Sequence, residues 1–139
     1  SMDEMIDVLN QKSGLLGISG ISSDMRDLKY NKNPRAILAR KIFLNRIVRY
    51  IGSFIAEMGG VDAIVLTAGV SEGDVGMRKA IMDSFKYMGV DPDYEANKTN
   101  GQKVITKPDS KIQVMIIPTN EELMIARDVV RLTNCATLA

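Results

Sequence analysis

Histidine is absent from this chain of 139 residues, and the single cysteine, Cys135, lies near the C-terminus. Histidine is the commonest general base and metal ligand among side chains, so its absence removes both roles from any site here. One cysteine excludes an internal disulfide and a cysteine-based zinc cluster, and it fits the cytosol. Carboxylates, lysine, arginine, hydroxyl groups and backbone remain. We therefore expect any chemistry here to handle phosphate or Mg²⁺.

Aromatic residues and charge of one sign are also scarce. The chain has four tyrosines and three phenylalanines, and its formal net charge is +1. A nucleic-acid-binding surface needs a basic face and stacking side chains, so we expect no nucleic-acid partner. No apolar run reaches the roughly 18 to 20 residues that span a membrane, so we expect no membrane association. The single cysteine leads us to expect a cytoplasmic location. The remaining composition, 45% hydrophobic and 25% charged, is that of one small globular domain.

The segment from Ile116 to Asp128 joins a strand end to a helix start, and it reads Ile-Ile-Pro-Thr-Asn-Glu-Glu-Leu-Met-Ile-Ala-Arg-Asp. Thr119 and Glu122 have the spacing of a capping box, in which each side chain satisfies a free backbone N–H. Glu121 then remains available, because its side chain projects about 100° around the helix from Glu122. Two roles stay open for Glu121: it complements the helix dipole, or it is a direct or water-mediated Mg²⁺ ligand beyond the strand.

Two glycine-containing segments are candidate ligand loops. Residues 12–27 carry glycines at positions 14, 17 and 20 among small and apolar residues. This spacing disfavours a helix and predicts either a tight loop with a short strand or a ligand-facing loop. Residues 69–74 leave a predicted strand through glycine and enter a predicted helix, a placement that suits a phosphate. The segment matches neither the Walker A motif nor a complete Gly-x-Gly-x-x-Gly motif.

Hydrophobic periodicity predicts the remaining elements. Helical spacing of apolar residues indicates helices over residues 3–10, 34–58, about 75–88 and 119–132, and short apolar runs predict strands over residues 62–68 and 111–117. Asn33 and Pro34 mark the start of the long helix, and Gly59 marks its end. Its apolar residues cover more than one side, so we expect the sheet on one side and another domain or subunit on the other. Residues 134–139 are expected to be a tail.

The order of these elements predicts an α/β fold with right-handed crossovers. Two strands are few for a domain, so we expect neighbouring strands to belong to a missing N-terminal portion. The Ser1-Met2 start is typical of an expression scar, which also indicates that the chain is a fragment of a longer protein. Exposed strand edges and the apolar long helix predict a homodimer or a higher oligomer.

Several sequence segments in this chain closely resemble the C-terminal part of the acetate kinase family. They extend over nearly the whole chain after its first two residues, and they are residues 12–27, Tyr50-Ile-Gly, Met58-Gly-Gly-Val-Asp-Ala-Ile-Val, Thr67-Ala-Gly and Pro118-Thr-Asn-Glu-Glu-Leu-Met-Ile-Ala-Arg-Asp. The resemblance implies that residues 3–133 are the C-terminal nucleotide-binding portion of such an enzyme. They would form part of a ribonuclease-H-like domain of the actin and sugar-kinase type, with helices packed on a mostly parallel sheet whose flanking strands are missing.

The resemblance also implies an activity and a set of site residues. Family members transfer a phosphoryl group between ATP and acetate through Mg²⁺, in a cleft between two domains. By resemblance, the residues that border adenine and ribose are Asp24, Met25 and Arg26, and the adenosine and phosphate loop comprises Gly69, Val70, Ser71, Glu72 and Gly73. Glu121 corresponds to the acid that holds Mg²⁺. The family's catalytic residues correspond to positions upstream of this chain, so none is expected here.

The chain departs from the family pattern at the adenosine loop. The family usually has Gly-Ile-Gly-Glu-Asn where this chain has Gly69-Val-Ser-Glu-Gly73, which adds a hydroxyl group at position 71 and removes an amide at position 73. Three hypotheses follow. The first is the ATP/ADP-Mg²⁺ binding half of an acetate kinase, inactive without the N-terminal half. The second is the corresponding fragment of a propionate kinase, and the third is a non-catalytic binding or dimerisation module.

Overall fold

The computed structural model describes residues 1–99 and 101–133 as an α/β fold. The predicted tail at residues 134–139 lies outside the described residues. The elements in chain order are α1 (Met2–Asp7, continued by a π-helical turn over Val8–Lys12), α2 (Gly14–Ser19), α3 (Met25–Leu28), α4 (Pro34–Met58), β1 (Ala63–Leu66), α5 (Ala68–Gly73), α6 (Val75–Ser84), β2 (Lys103–Val104), β3 (Gln113–Ile116) and α7 (Glu121–Thr133). Short 3₁₀ turns lie at Lys86–Met88 and Ala96–Lys98.

The sheet has three described strands in the order β1-β3-β2. β1 and β3 are parallel, with Ala63 opposite Gln113 and Leu66 opposite Ile116, and β2 is antiparallel to β3. The prediction of an α/β fold with two parallel strands is confirmed, but the expectation of two strands in all missed β2. A strand of two exposed residues in a polar segment has no periodic pattern that the sequence could reveal.

The main core lies where α4 and α6 cover the sheet. β1 contributes the buried side chains of Ile64 and Leu66, and β3 contributes those of Val114 and Ile116. The side chains that α4 and α6 pack against them are Phe43, Leu44, Ile47, Val48, Ile51, Ile55, Met77, Ile81 and Met82. The methionines of α6 therefore fill the core, as expected of a flexible apolar side chain.

Helix α4 forms as its sequence predicts. The Asn33 Oδ1 atom accepts a hydrogen bond of 2.9 Å from the Arg35 amide, Pro34 occupies the first helical position, and Gly59 ends the helix with a positive φ of 72°. One side of α4 faces the core, whereas Leu38, Phe54 and Met58 are among its exposed apolar residues. That another domain or subunit packs against this second side stays a prediction.

The prediction that residues 12–27 disfavour a helix is wrong. Residues Gly14–Ser19 form α2, and residues Met25–Leu28 form α3. Tertiary contacts compensate for the low helix propensity, because the side chains of Leu15 and Ile18 pack against Leu28, Ala36 and Ala39. Glycine is required at position 17, since a Cβ atom there would lie 2.8 Å from the Lys12 carbonyl oxygen.

The predicted glycine loop at residues 69–74 is also different in the structure. Residues Ala68–Gly73 form the short helix α5, and Asp74 is the N-cap of α6. The segment is therefore helical and not an open loop. Ala68 enters the helix with a positive φ of 66°, so the turn from β1 into α5 has the backbone conformation usually taken by glycine.

The fully buried guanidinium of Arg78 holds this region together. It donates to the carbonyl oxygens of Ser71 and Glu72 at 2.9 and 2.6 Å, near the C-terminal end of α5. It also donates to the Oδ1 atom and carbonyl oxygen of Asn97, at 2.8 and 2.6 Å, and to the Thr99 carbonyl oxygen at 3.0 Å. Burial lowers the pKa of Arg78, and the nearby charge of Asp74 partly opposes that effect.

Replacing Arg78 with methionine should strongly destabilise the protein. The substitution leaves the buried oxygen atoms of Asn97 and the carbonyl groups of α5 without their donors, which should cost at least about 2 kcal/mol of unfolding free energy. Urea unfolding followed by circular dichroism measures this cost. The matched control is Arg46→Met on the exposed face of α4, which should change the unfolding free energy by no more than about 0.5 kcal/mol. Equal stabilities for the two variants would contradict the role of Arg78.

Candidate functional site

A cavity of about 660 Å³ lies between the α2–α3 region and the β1–α5–α6 region. Its volume is within the range of small-molecule sites. The lining residues combine apolar side chains with a few charged groups, and they are Leu15, Ser23, Asp24, Met25, Arg26, Lys29, Phe43, Gly69, Gly73 and Asp74. The cavity thus brings the predicted residues 24–26 next to two predicted residues that lie more than 40 positions later in the sequence.

Asp24 and Arg26 form one side of the cavity mouth. The Asp24 Oδ1 atom caps α3 by accepting a 2.8 Å hydrogen bond from the Arg26 amide, and the same carboxylate accepts from the Arg26 guanidinium. The side-chain hydrogen bond from Arg26, followed by the backbone one, lowers the pKa of Asp24 to about 2. Asp24 is therefore ionised at neutral pH, and the guanidinium is held beside it while remaining exposed.

Lys29 crosses from α3 towards the opposite wall. Its Nζ atom donates to the Gly73 carbonyl oxygen at 3.2 Å and lies 3.6 Å from the Asp74 Oδ1 atom. That Oδ1 atom also caps α6 by accepting from the amides of Gly76 and Met77, at 3.0 and 3.1 Å. The buried Oδ2 atom of Asp74 has no hydrogen-bond partner among the described residues. Lys29 therefore brings a positive charge to a wall that already holds a buried carboxylate.

Lys29 lines the cavity although no pattern in the sequence predicts it, whereas Asp74 ends the predicted candidate loop at residues 69–74. Asp74 has a local signal, since an aspartate directly before an amphipathic helix is typical of an N-cap. Lys29 has no comparable signal, because its partners at positions 73 and 74 lie far along the chain. Such contacts depend on how distant segments pack together, and the spacing of residues in the sequence does not predict them.

The five predicted residues of the adenosine loop do not all face the cavity. Gly69 and Gly73 line it, whereas the carbonyl groups of Ser71 and Glu72 are directed to Arg78. The Glu72 carboxylate contacts the junction between β3 and α7 instead. The side chain of Val70 lies outside the described part of the structure. The predicted loop is thus partly a cavity wall and partly a support for neighbouring segments.

The junction before α7 corrects the predicted capping box. The amide and the hydroxyl group of Thr119 both donate to the Glu72 Oε1 atom, at 3.0 and 3.3 Å. Asn120 is the cap, because its Oδ1 atom accepts a 3.0 Å hydrogen bond from the Leu123 amide. In a capping box the Thr119 amide would donate to the Glu122 carboxylate, and here the Glu72 carboxylate accepts from that amide instead. The helix begins at Glu121, two residues later than predicted.

Glu121 and Glu122 are both exposed in the first turn of α7. Capping therefore does not distinguish them, and the assignment of a metal role to Glu121 rests on the family resemblance. Within residues 1–99 and 101–133, no group of three or more His, Cys, Asp or Glu side chains is placed to hold a metal ion. Mg²⁺ often binds through one or two carboxylates together with water and substrate phosphates. Glu121, which is exposed in the first turn of α7, fits that kind of site.

Helix α7 extends the site region without joining the core. None of its residues is buried, and the exposed apolar side chains include Leu123, Met124 and Ile125. Across the described residues, no helix combines the length and the apolar character that crossing a membrane would require.

Comparison with known proteins supports a single family. The Acetokinase family profile matches residues 1–127. The chain is 52% identical over 136 residues to the acetate kinase of Fructilactobacillus sanfranciscensis, covering 96% of this chain and 34% of that protein. The crystal structure of Porphyromonas gingivalis acetate kinase superposes with a TM-score of 0.85 and 38% identity, over 96% of this chain and 35% of that one. A propionate kinase from Francisella tularensis subsp. tularensis SCHU S4 superposes with a TM-score of 0.80 and 35% identity, over 92% and 33% of the two chains.

These similarities confirm the predicted resemblance and the predicted fold class. The chain spans about a third of the length of the relatives that it matches, so the similarity concerns one portion of those proteins. The matched residues include both walls of the cavity, the Thr119 junction and Glu121. The chain belongs to the Acetokinase family.

Proposed function

We propose that this chain is the nucleotide-binding portion of an acetate kinase and that its cavity receives the adenosine part of ATP or ADP. The observation that carries this proposal is the meeting of residues 24–26 with Gly69 and Gly73 around one cavity of about 660 Å³. The family resemblance relates the same two segments to adenosine. Apolar side chains from Leu15, Met25 and Phe43 offer a surface suited to a flat base.

Charged groups at the cavity suit the remainder of a nucleotide. The guanidinium of Arg26 is exposed at the mouth, where it can approach an anionic phosphate or a ribose oxygen atom. The ionised Asp24 carboxylate both orients that guanidinium and can accept from a ribose hydroxyl group. Lys29 holds the Gly73 carbonyl group and thereby keeps α5 beside α3.

Glu121 would hold Mg²⁺ together with the phosphates of the bound nucleotide. The ion would neutralise phosphate charge, which phosphoryl transfer requires. Glu121 is exposed at the start of α7, directly after the segment that leaves β3, so water and a substrate oxygen atom can reach it. A single carboxylate of this kind fits an ion whose other ligands come from the substrate.

The whole reaction that we propose for the parent protein is ATP + acetate → ADP + acetyl phosphate. A propionate kinase is the closest alternative, and the structural similarity to such an enzyme favours keeping both acyl acceptors in the experiments. A binding or dimerisation module without catalysis is the third possibility, motivated by the departures at Ser71 and Gly73. The cytoplasmic location and the dimeric or oligomeric state stay predictions.

Nucleotide binding is the direct test. ADP titrated into the chain with Mg²⁺ should give saturable heat in calorimetry, and Arg26→Ala should weaken the affinity about tenfold, since a hydrogen bond to a charged group contributes about 1.5 kcal/mol. Arg46→Ala, on the exposed face of α4, is the matched control and should bind like the parent. An Arg26→Ala variant with unchanged affinity would remove Arg26 from the site, and a parent chain that does not bind ADP would contradict the proposal.

The two adjacent acids of α7 should differ in Mg²⁺ dependence. In Glu121→Gln, the Mg²⁺ concentration for half-maximal ADP binding should rise at least about fivefold, because a neutral amide is a poor ligand for a hard cation. Glu122→Gln should keep the value of the parent. Both variants should unfold within about 0.5 kcal/mol of the parent, since both side chains are exposed. The reverse pattern in the Mg²⁺ titrations would mean that Glu122 is the metal ligand.

The chain alone should show no turnover. Phosphoryl transfer needs both substrates held in line and charge neutralised around the moving group, and this portion supplies one side of that arrangement. A coupled assay with ATP, Mg²⁺ and either acetate or propionate should remain at background. Turnover that follows the purified chain through a final column, with contaminating kinase excluded, would show that the portion is sufficient for catalysis.

A further inference from the structure

The start of α7 depends on few contacts. The sheet holds the chain as far as Ile117, whose amide donates to the Leu66 carbonyl oxygen at 3.0 Å. Pro118 has no N–H group to continue that pairing. The next described anchor is Thr119, whose amide and hydroxyl group both donate to the Glu72 Oε1 atom from 47 residues away. Since α7 buries none of its residues, this anchor has a large share in placing its first turn.

The backbone of Glu72 is itself held in place by Arg78. The Glu72 carbonyl oxygen accepts a 2.6 Å hydrogen bond from the buried Arg78 guanidinium, which holds the backbone that carries the carboxylate. A connected path therefore runs from Arg78 through Glu72 to Thr119. Asn120 follows at once and caps α7, and Glu121 is the first residue of that helix. The position of Glu121 is thus set two residues beyond the Glu72 contact.

We propose that Glu72 is a positioning residue, which fixes the β3–α7 junction and thereby presents Glu121 to Mg²⁺ and the nucleotide phosphates. The inference rests on the proposed function for the role of Glu121, but the contact itself does not. The Glu72 carboxylate acts through the Thr119 N–H and O–H groups and needs no contact with the nucleotide. Its function here is to accept two hydrogen bonds, so an amide oxygen atom can take its place.

Three variants separate this role from a general effect on the surface. Glu72→Ala removes the acceptor, whereas Glu72→Gln retains an acceptor oxygen atom of the same reach. Thr119→Val removes the hydroxyl donor and leaves the stronger amide contact. The control is Glu95→Ala, which removes another glutamate, one that pairs with Lys98 on the surface, well away along the chain from the junction.

Amide hydrogen exchange, followed by NMR without metal or nucleotide, tests the contact. Exchange at Thr119 should accelerate at least about fivefold in Glu72→Ala and stay within about twofold of the parent in Glu72→Gln, because an exposed amide is protected chiefly by its own hydrogen bond. Thr119→Val should have an intermediate effect, and Glu95→Ala should have none. Parental exchange rates in Glu72→Ala, or equally fast exchange in Glu72→Gln, would overturn the proposal.

Mg²⁺ titration of ADP binding tests the consequence for Glu121. Glu72→Ala should raise the Mg²⁺ concentration for half-maximal binding by about fivefold, and Glu72→Gln should restore a value near that of the parent. Faster exchange with an unchanged Mg²⁺ requirement would overturn the positioning role, although the contact exists. If the parent chain does not bind ADP at all, the proposed nucleotide function fails, and the exchange rates still decide whether Glu72 fixes the junction.

Discussion

Five hydrogen bonds from the buried guanidinium of Arg78 join α5, the turn at residues 97–99 and the first residues of α6 into one unit. A buried charge is costly unless its donors are satisfied. Here carbonyl groups and the Asn97 side chain satisfy them. Asn97 in turn donates to the Val75 carbonyl oxygen at 3.0 Å, which closes the network onto α6. Two successive carbonyl groups near the end of α5, those of Ser71 and Glu72, accept from the same nitrogen atom of Arg78.

The candidate site inherits its geometry from this unit. With α5 held against α6, Gly73 and Asp74 face the cavity, and Lys29 reaches both from α3. On the other side of α5, the Glu72 carboxylate meets Thr119 and directs the start of α7. One short helix thus supports the proposed adenosine wall and the proposed metal-binding residue together. Loss of the Arg78 hydrogen bonds would therefore displace both the cavity wall at Gly73 and the start of α7 at Thr119.

The two incorrect local predictions have a common physical origin. Residues 14–19 and 68–73 contain glycines that lower helix propensity, yet both segments are helical. Short helices gain little from propensity, so their packing decides. Leu15 and Ile18 bury α2 against α4, and Arg78 accounts for α5. The capping box failed for a similar reason, because a distant carboxylate competed for the donors of Thr119.

Local signals in the sequence predict the caps and limits of α4, the two parallel strands and the α/β class, and the segments that resemble acetate kinases predict the family. The absence of histidine also excludes a histidine base or metal ligand, so any chemistry here depends on carboxylates, lysine, arginine, hydroxyl groups and backbone. Tertiary packing brings predicted site residues together around one cavity, places Lys29 against Gly73 and Asp74, and pairs Glu72 with Thr119. These contacts join residues more than 40 positions apart, and their energies depend on burial and on the competition between acceptors. Neither quantity exists until the chain has folded.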